Sequence, residues 1–285
     1  MDLDDPLSLP ADDVPYEGVP AFLEQSLRAW IKDALESATD VRNSGAADQF
    51  AEIVALRLWM SPAYPAYGLT GHQTALCTAD RRDLLRVVNA ILRFASPTRM
   101  ASLIARLELL LVFSGSAYEI ETGSPTQLVR RVDPSVRDAV RKAQDQAEPT
   151  AAQHLRAAWV AAYGVEPEPN VAYAEAVRAV EAVACPLLVP NPTRPPTLGT
   201  VLTLLRGDAQ ATTPKWELVI PDQHGAPSSV APIVGMIELL WHGHRSRHAG
   251  SESARPNTLE EAEAAYMLAA TLVHWLSKGA LRPRS

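Results

Sequence analysis

A short polar segment at residues 241–250 concentrates side chains that can move protons and bind phosphate. It reads Trp-His-Gly-His-Arg-Ser-Arg-His-Ala-Gly and holds three of the seven histidines of the chain together with two arginines. Arginine is a permanent planar cation that binds phosphate, and histidine titrates near neutral pH and serves as a general base or acid. These groups suffice to cleave an RNA phosphodiester without a metal, with the 2′-hydroxyl as nucleophile. The same composition is also typical of a solvated loop that follows a helix, where the helix dipole favours cations.

The spacing within this segment suggests roles for four residues. If the preceding helix continues through His248, then His244 and His248 lie at i and i+4, and Arg245 and His248 at i and i+3, on one helical face. Two bases, or a base and a cation, would then converge. We therefore predict that His248 acts as base or acid, that Arg245 and Arg247 bind phosphate, and that His244 assists as an auxiliary catalytic group.

Three further residues are candidates for RNA contacts: His242, Arg255 and Glu181. A carboxylate on a helix surface, such as that of Glu181, is usually only solvated. Zinc or nickel binding by His242, His244 and His248 is an alternative, but no cysteine lies at a standard spacing to complete a tetrahedral site. The chain has no Gly-rich phosphate loop, nucleophile elbow or nucleotide fingerprint. We therefore expect neither a metal nor a cofactor.

Charge and cysteine usage narrow the functional class. The chain of 285 residues has a formal charge of -7, and six acidic residues lie within its first twenty positions. The remainder is nearly neutral, which argues against a generally basic nucleic-acid-binding protein and leaves room for a local basic site. Cys77 and Cys185 stand in unrelated contexts, and no apolar run is long enough to cross a bilayer. We expect a soluble cytoplasmic protein with no membrane partner.

Hydrophobic periodicity predicts a mainly α fold. Apolar residues recur at intervals of three and four through most of the chain, and strands do not alternate with helices as a parallel sheet would require. The final helix is expected to begin with a capping box of Thr258 and Glu261. A minor β-hairpin is predicted near residues 116–132, where two short extended segments flank Gly123-Ser124-Pro125. Residues 216–220 are predicted to form a lone extended segment.

Several segments of the second half carry a family resemblance. In order and approximate spacing, the chain resembles the C-terminal domain of abortive-infection proteins, which belong to the HEPN superfamily of small helical bundles, over roughly residues 150–281. The matching segments are AYAEAVRAVE at 172–181, TLG at 197–199, the Trp241 to His248 stretch, EEAEAA at 260–265 and LAATLV at 268–273.

Composition and periodicity predict an acidic Pro-rich arm at 1–20 and a helical domain with the hairpin at 21–148. The resemblance implies a HEPN-like helical bundle at 149–285 and an activity. The family implies antiviral defence, and often a metal-independent endoribonuclease whose site is assembled across a homodimer. In its motif four to six residues separate an arginine from the histidine that follows it. His248 matches the histidine, whereas the upstream positions 241–243 hold no arginine.

Two functions are therefore open. One is a metal-independent endoribonuclease that acts from a homodimer, and the other is a non-catalytic HEPN-like interaction or RNA-binding module that has lost the motif arginine. The partners to expect are RNA, a second copy of the chain and a phage-derived or regulatory protein. The dimer is predicted to pack through the last helix, which carries more large apolar residues than one buried stripe needs: Tyr266, Leu272, Val273, Trp275 and Leu276.

Overall fold

The mainly α prediction is confirmed. A computed structural model describes residues 15–37, 45–244 and 255–284, and most of these residues lie in α-helices accompanied by short antiparallel β-strands. The described residues divide into two compact units. The first runs to Arg131 and includes Gly164–Glu166, and the second comprises Val132–Tyr163 and the described residues from Pro167 onward.

The first unit is a cluster of helices with a hairpin at its edge. Its core holds Trp30, whose ring is fully buried and whose indole N–H donates to the Leu103 carbonyl at 2.7 Å. Donation by the buried indole matters because an unpaired N–H in an apolar core costs free energy. The elements are α1 (Ala21–Ser37), α2 (Ala46–Arg57), α3 (Gly71–Cys77), α4 (Leu84–Phe94), α5 (Ala101–Phe113), β1 (Tyr118–Glu121) and β2 (Gln127–Arg130).

The predicted hairpin is present. Strands β1 and β2 pair antiparallel, from Tyr118 opposite Arg130 to Glu121 opposite Gln127. The hairpin is tied to helix α4 because the Asn89 side-chain carbonyl accepts the Leu128 backbone N–H at 2.9 Å. A two-stranded hairpin is marginal on its own, so this attachment contributes to its stability.

The second unit is organised around one long helix that packs against the helix before it and against the last helix of the chain. Trp159 and Tyr163 of the preceding helix and Tyr266 of the last helix are buried against one another in an aromatic cluster. The central helix is α8. The elements are α6 (Pro134–Gln146), α7 (Pro149–Tyr163), α8 (Pro169–Leu188), α9 (Leu198–Ala209), β3 (Trp216–Pro221), β4 (Pro227–Ser228), α10 (Ala231–Gly243), α11 (Leu259–Ser277) and β5 (Leu281–Pro283).

A small sheet in the second unit differs from the sequence-based expectation. Strand β3 is not a lone extended segment, because it lies between β4 and β5 in an antiparallel sheet. Its Glu217 is buried and accepts a hydrogen bond from Arg282 of β5 at 3.0 Å. The pairing strands have two and three residues, which is too short to show a period-2 pattern in the sequence.

The division between units also differs from the predicted one. Helix α6 was expected within the first domain, which was predicted to end at residue 148, yet the compact units divide after Arg131. Helix α6 packs on α7 and α11, and the buried Gln144 amide donates to the Tyr266 hydroxyl at 3.0 Å. This buried polar contact joins α6 to α11 across the core of the second unit.

The last helix uses its apolar surface within its own unit. Tyr266, Leu272 and Val273 are fully buried there, and Leu276 is nearly so. Four of the five residues that suggested a homodimer through this helix are thus covered within the unit, by α6, α7, α8 and α10, whereas Trp275 is only partly buried and lines a groove beside α6. The homodimer stays a prediction.

Candidate functional site

The helix that leads into the polar segment ends earlier than the spacing of its histidines requires. Helix α10 ends at Gly243, and His244 has φ -73° and ψ 72°, which is not helical. The helical relation of His244 to His248 therefore does not apply. His248, Arg245 and Arg247 lie outside the described residues, while His242 is exposed on the last turn of α10.

His244 is held by an aromatic partner from another helix. Its imidazole stacks on the ring of Tyr173 in α8, with ring centroids 5.3 Å apart and an interplanar angle of 14°. Tyr173 is itself buried, and its hydroxyl donates to the Leu239 carbonyl at 3.3 Å. The stack fixes the chain where it leaves α10, so His244 has a structural role at this point.

Gly243 lets α10 end against Tyr173. A Cβ atom at this position would lie 2.1 Å from the Tyr173 hydroxyl oxygen and 3.1 Å from its ring carbon, far inside van der Waals contact. Only glycine allows the backbone to approach the aromatic residue this closely.

On the other side of the polar segment, Asn257 hydrogen-bonds back to the end of α10, and we call this contact between Asn257 and Gly243 the closed base of the segment. Its side-chain amide donates to the Gly243 carbonyl at 2.8 Å, and its backbone N–H donates to the Asn170 side chain at 2.8 Å. Asn257 is 5% exposed, so these bonds are shielded from water. The end of α10 and the residues before α11 are thereby joined, next to the beginning of α8.

Arg255 lies directly after that segment and is paired with a carboxylate. Its guanidinium donates to both carboxylate oxygens of Glu261, at 2.9 Å to Oε2 and at a shorter distance to Oε1, and also to the Pro256 carbonyl. A two-point arginine–carboxylate contact neutralises both charges. Arg255 was predicted to contact RNA, and the structure places it in a pair that supports the start of α11.

Glu261 connects these contacts with the predicted capping box, which is present. Its carboxylate accepts the Thr258 backbone N–H at 3.0 Å, while its own N–H donates to the Thr258 hydroxyl. The hydrogen bond from Arg255, reinforced by those from Thr258 and Asn257, lowers the pKa of Glu261 to about 2. The Glu261 carboxylate is thus ionised at neutral pH and bonded to Arg255, Asn257 and Thr258.

This lowered pKa predicts a loss of stability in acid. Because the folded-state pKa lies below the usual 4.5, the contribution of Glu261 is complete above pH 4.5 and disappears as the pH falls towards 2. Glu261→Gln should remove that contribution at neutral pH and flatten the acid limb of the unfolding free energy, measured by urea denaturation at several pH values. Glu260→Gln is the control, since it removes a charge from the same helical turn. Equal acid limbs for Glu261→Gln and wild type would contradict the assignment.

Glu181, the other predicted RNA contact, caps a helix. Its carboxylate accepts the Leu198 backbone N–H, the first of α9, at 2.7 Å. It lies eight residues after Tyr173 on α8, about 12 Å along the helix axis. The structure therefore does not bring Glu181 together with His244, and the carboxylate holds α9 against α8.

A second histidine site was missed in the sequence. His154 of α7 lies with Nδ1 2.6 Å from Glu175 Oε2 of α8, and Arg178 donates to the other oxygen of the same carboxylate. A carboxylate that orients an imidazole is a recurrent arrangement for proton transfer. Because the two residues lie 21 positions apart on different helices, no local sequence motif predicts the pair.

The described residues offer no metal site and no reactive thiol. Among them no group of three or more His, Cys, Asp or Glu side chains is arranged to hold an ion. Burial raises the pKa of both Cys77 and Cys185 to about 11, so that neither is a thiolate at neutral pH. A groove of about 270 Å³ between α6 and α11, lined largely by alanine, Val140, Met267 and Trp275, contains none of the predicted site residues.

Comparison with known proteins adds no identification. No family model, curated protein or solved structure matches the chain. Within the described ranges, none of the helices has the length and apolarity needed to cross a bilayer.

Proposed function

We propose that the protein is an abortive-infection protein that cleaves RNA without a metal, with its site in residues 245–254. His248 is the proton-transfer group, and Arg245 and Arg247 bind the phosphate. The HEPN-like sequence pattern supports this proposal, as does the density of histidine and arginine in an otherwise nearly neutral chain.

The observation that carries the proposal is the closed base of this segment. The 2.8 Å hydrogen bond from Asn257 to the Gly243 carbonyl joins residues that lie on either side of it, and His244, which precedes it, stacks on Tyr173. A catalytic group is effective only when it is held near the reacting atoms. The described residues on the two sides of the segment are thus held together at one place in the fold.

The reaction follows from the residue types. His248 accepts the proton of the 2′-hydroxyl as its oxygen attacks phosphorus, and the bond from phosphorus to the 5′-oxygen breaks. The leaving oxygen takes a proton from a second histidine, which a homodimer would supply as the other copy of His248. The arginines stabilise the added negative charge on the phosphoryl oxygens. The products are a 2′,3′-cyclic phosphate and a 5′-hydroxyl.

The direct test is cleavage of mixed RNA in EDTA by wild type and His248→Ala. Wild type should yield fragments with 2′,3′-cyclic phosphate ends, and His248→Ala should be slower by about 100- to 10,000-fold, the usual contribution of a positioned proton-transfer group. His224→Ala is the matched control, because that histidine is exposed beside the β3–β4 turn, where its described hydrogen bonds are with the neighbouring Gln223 and Asp222. Undiminished cleavage by His248→Ala would overturn the proposal.

A specific observation favours a second candidate, the non-catalytic RNA-binding module. His244 and Arg255, both predicted in the site, are committed to Tyr173 and Glu261. Several other arginines of the second unit are also paired with carboxylates, as in Arg178–Glu175 and Arg206–Glu238. RNA retained equally by wild type and His248→Ala, with no product from either, would establish binding without cleavage.

A further inference from the structure

The first unit presents an aromatic loop, residues 58–70, between α2 and α3. Trp59 is 92% exposed, and Tyr64 and Tyr67 are each 91% exposed. Large aromatic side chains normally bury most of their surface, and three with almost none buried in one short loop are unusual. The adjoining surface of α2 adds Ile53 and Leu56, at 52% and 65% exposure.

Trp59 occupies a backbone position that favours glycine. Its φ is +58°, in the left-handed region. The Met60 N–H donates to the Ala55 carbonyl and the Trp59 N–H to the Leu56 carbonyl, which together form the Schellman ending of α2. The left-handed residue of this motif is usually glycine, since a side chain there is sterically strained.

Tyr67 occupies a second position of the same kind. Tyr67 and Gly68 have φ values of +54° and +75°, and the Leu69 N–H donates to the Ala66 carbonyl at 2.9 Å. This is a two-residue turn with both central residues left-handed, for which Asn-Gly is the favoured pair. Tyrosine replaces the favoured residue at a cost in stability.

The two rings bury little surface in the described part of the unit. Trp59 and Tyr67 are more than nine-tenths exposed, so packing there does not explain why aromatic residues stand where glycine and asparagine would be more stable. Strained positions that persist without a structural reward are typical of functional surfaces. The aromatic loop is therefore a contact surface for another molecule.

The charge of the surface selects the kind of molecule. Residues 58–70 contain no charged side chain, and the charges beside them on α2 are Arg57, Glu52 and Asp48, whose carboxylate accepts from the Thr70 hydroxyl. Binding to a nucleic-acid backbone depends on several cations, which this surface lacks. Tryptophan and tyrosine combine an apolar body with a polar tip, and they favour the headgroup level of a bilayer. A surface of this composition that has no excess of cations fits a zwitterionic lipid surface better than an anionic one.

We propose that the aromatic loop, with Ile53 and Leu56, docks the protein peripherally on a zwitterionic lipid surface. Such docking needs no helix that spans the bilayer, because the rings insert only at the interface. It goes beyond the proposed RNA cleavage and beyond the sequence-based expectation of no membrane partner. Trp59 and Tyr67 stand at left-handed turn positions, and both residues are exposed there at a cost in stability.

The test replaces both residues at the left-handed positions, Trp59 and Tyr67, by the residues that such turns favour. Full-length Trp59→Gly/Tyr67→Asn should bind phosphatidylcholine vesicles at least about tenfold more weakly than wild type in flotation assays, since interfacial burial of two rings is lost. The same variant should melt about 2–4 °C higher, because each substitution restores the favoured turn residue. A merely structural role for the two rings would instead lower the melting temperature.

Two further variants sharpen the comparison. Phe113→Ala removes an exposed aromatic ring of α5, 70% exposed, and should leave vesicle binding unchanged. Tyr64→Ser removes a ring of the loop outside the two left-handed positions and should weaken binding without raising the melting temperature. Wild-type binding should not be strengthened by added phosphatidylglycerol and should change little with salt, since the surface has no excess of cations.

Four outcomes would overturn the proposal. The first is absence of wild-type flotation, and the second is equal flotation of wild type and the double variant. The third is a loss of RNA binding in the loop variants, which would make the loop a base-stacking platform. The fourth is wild-type self-association that the same variants abolish without any effect on lipid, which would assign the surface to a second copy of the chain.

Discussion

Gly243→Ala is expected to destabilise the second unit by about 1–3 kcal/mol, the usual cost of forcing extra atoms into a packed site. The added methyl would lie 2.1 Å from the Tyr173 hydroxyl, and Tyr173 cannot swing away because its ring is buried and stacked on His244. Either the ring or the end of α10 must move. Urea denaturation of wild type and variant measures the difference.

The same helix supplies the matched control. Gly235 also lies in α10, but a Cβ atom there would meet nothing within 4 Å. Gly235→Ala should stabilise the protein by about 0.5–1 kcal/mol, since alanine is the better helix former. Opposite signs for the two substitutions would attribute the loss at Gly243 to the close approach. Two stabilising substitutions would show that α10 ends without the contact to Tyr173.

Gly243→Ala also tests the site. Because Gly243 carries the carbonyl that Asn257 holds, movement of the helix end should disturb the closed base as well as the fold. RNA cleavage or binding should fall in Gly243→Ala under conditions where the variant is still folded, and should be retained in Gly235→Ala. Full activity in a folded Gly243→Ala protein would separate residues 245–254 from the geometry of their base.

Tyr266→Ala is expected to cost about 3–5 kcal/mol of unfolding free energy, comparable with other large-to-small substitutions of buried aromatic residues. Tyr266 is fully buried, with its ring centroid 5.3 Å from that of Trp159 and 6.2 Å from that of Tyr163. Its hydroxyl accepts from the buried Gln144 amide. The substitution thus leaves a cavity at the centre of the unit and removes a buried hydrogen-bond partner.

Two variants divide that cost. Tyr266→Phe keeps the ring and removes the hydroxyl, and it should cost about 1–3 kcal/mol through the desolvated amide of Gln144. Tyr64→Ala truncates an exposed tyrosine and should change the free energy by less than about 0.5 kcal/mol. A Tyr266→Ala protein as stable as Tyr64→Ala would contradict the placement of the aromatic cluster in the core.

Features with a local physical cause were predictable from the sequence. The mainly α fold follows from the spacing of apolar residues, which reports the helical period directly. The capping box of Thr258 and Glu261 needs only residues three apart. The hairpin around Gly123 pairs strands separated by a short turn, so its pattern is also complete within one segment.

Contacts between distant residues could be decided only by the tertiary structure. Strand β5 joins β3 across more than 60 residues, and His154 meets Glu175 across two helices, because packing of whole helices determines which side chains face each other. The sequence by itself showed that His and Arg concentrate at 242–248. The sequence did not show that α10 ends at Gly243, that His244 stacks on Tyr173 or that Arg255 pairs with Glu261. The local hydrophobic period does not specify these partners. The close approach of Gly243 to Tyr173 and the buried hydrogen bonds of Asn257 therefore determined how the residues on either side of this segment are held.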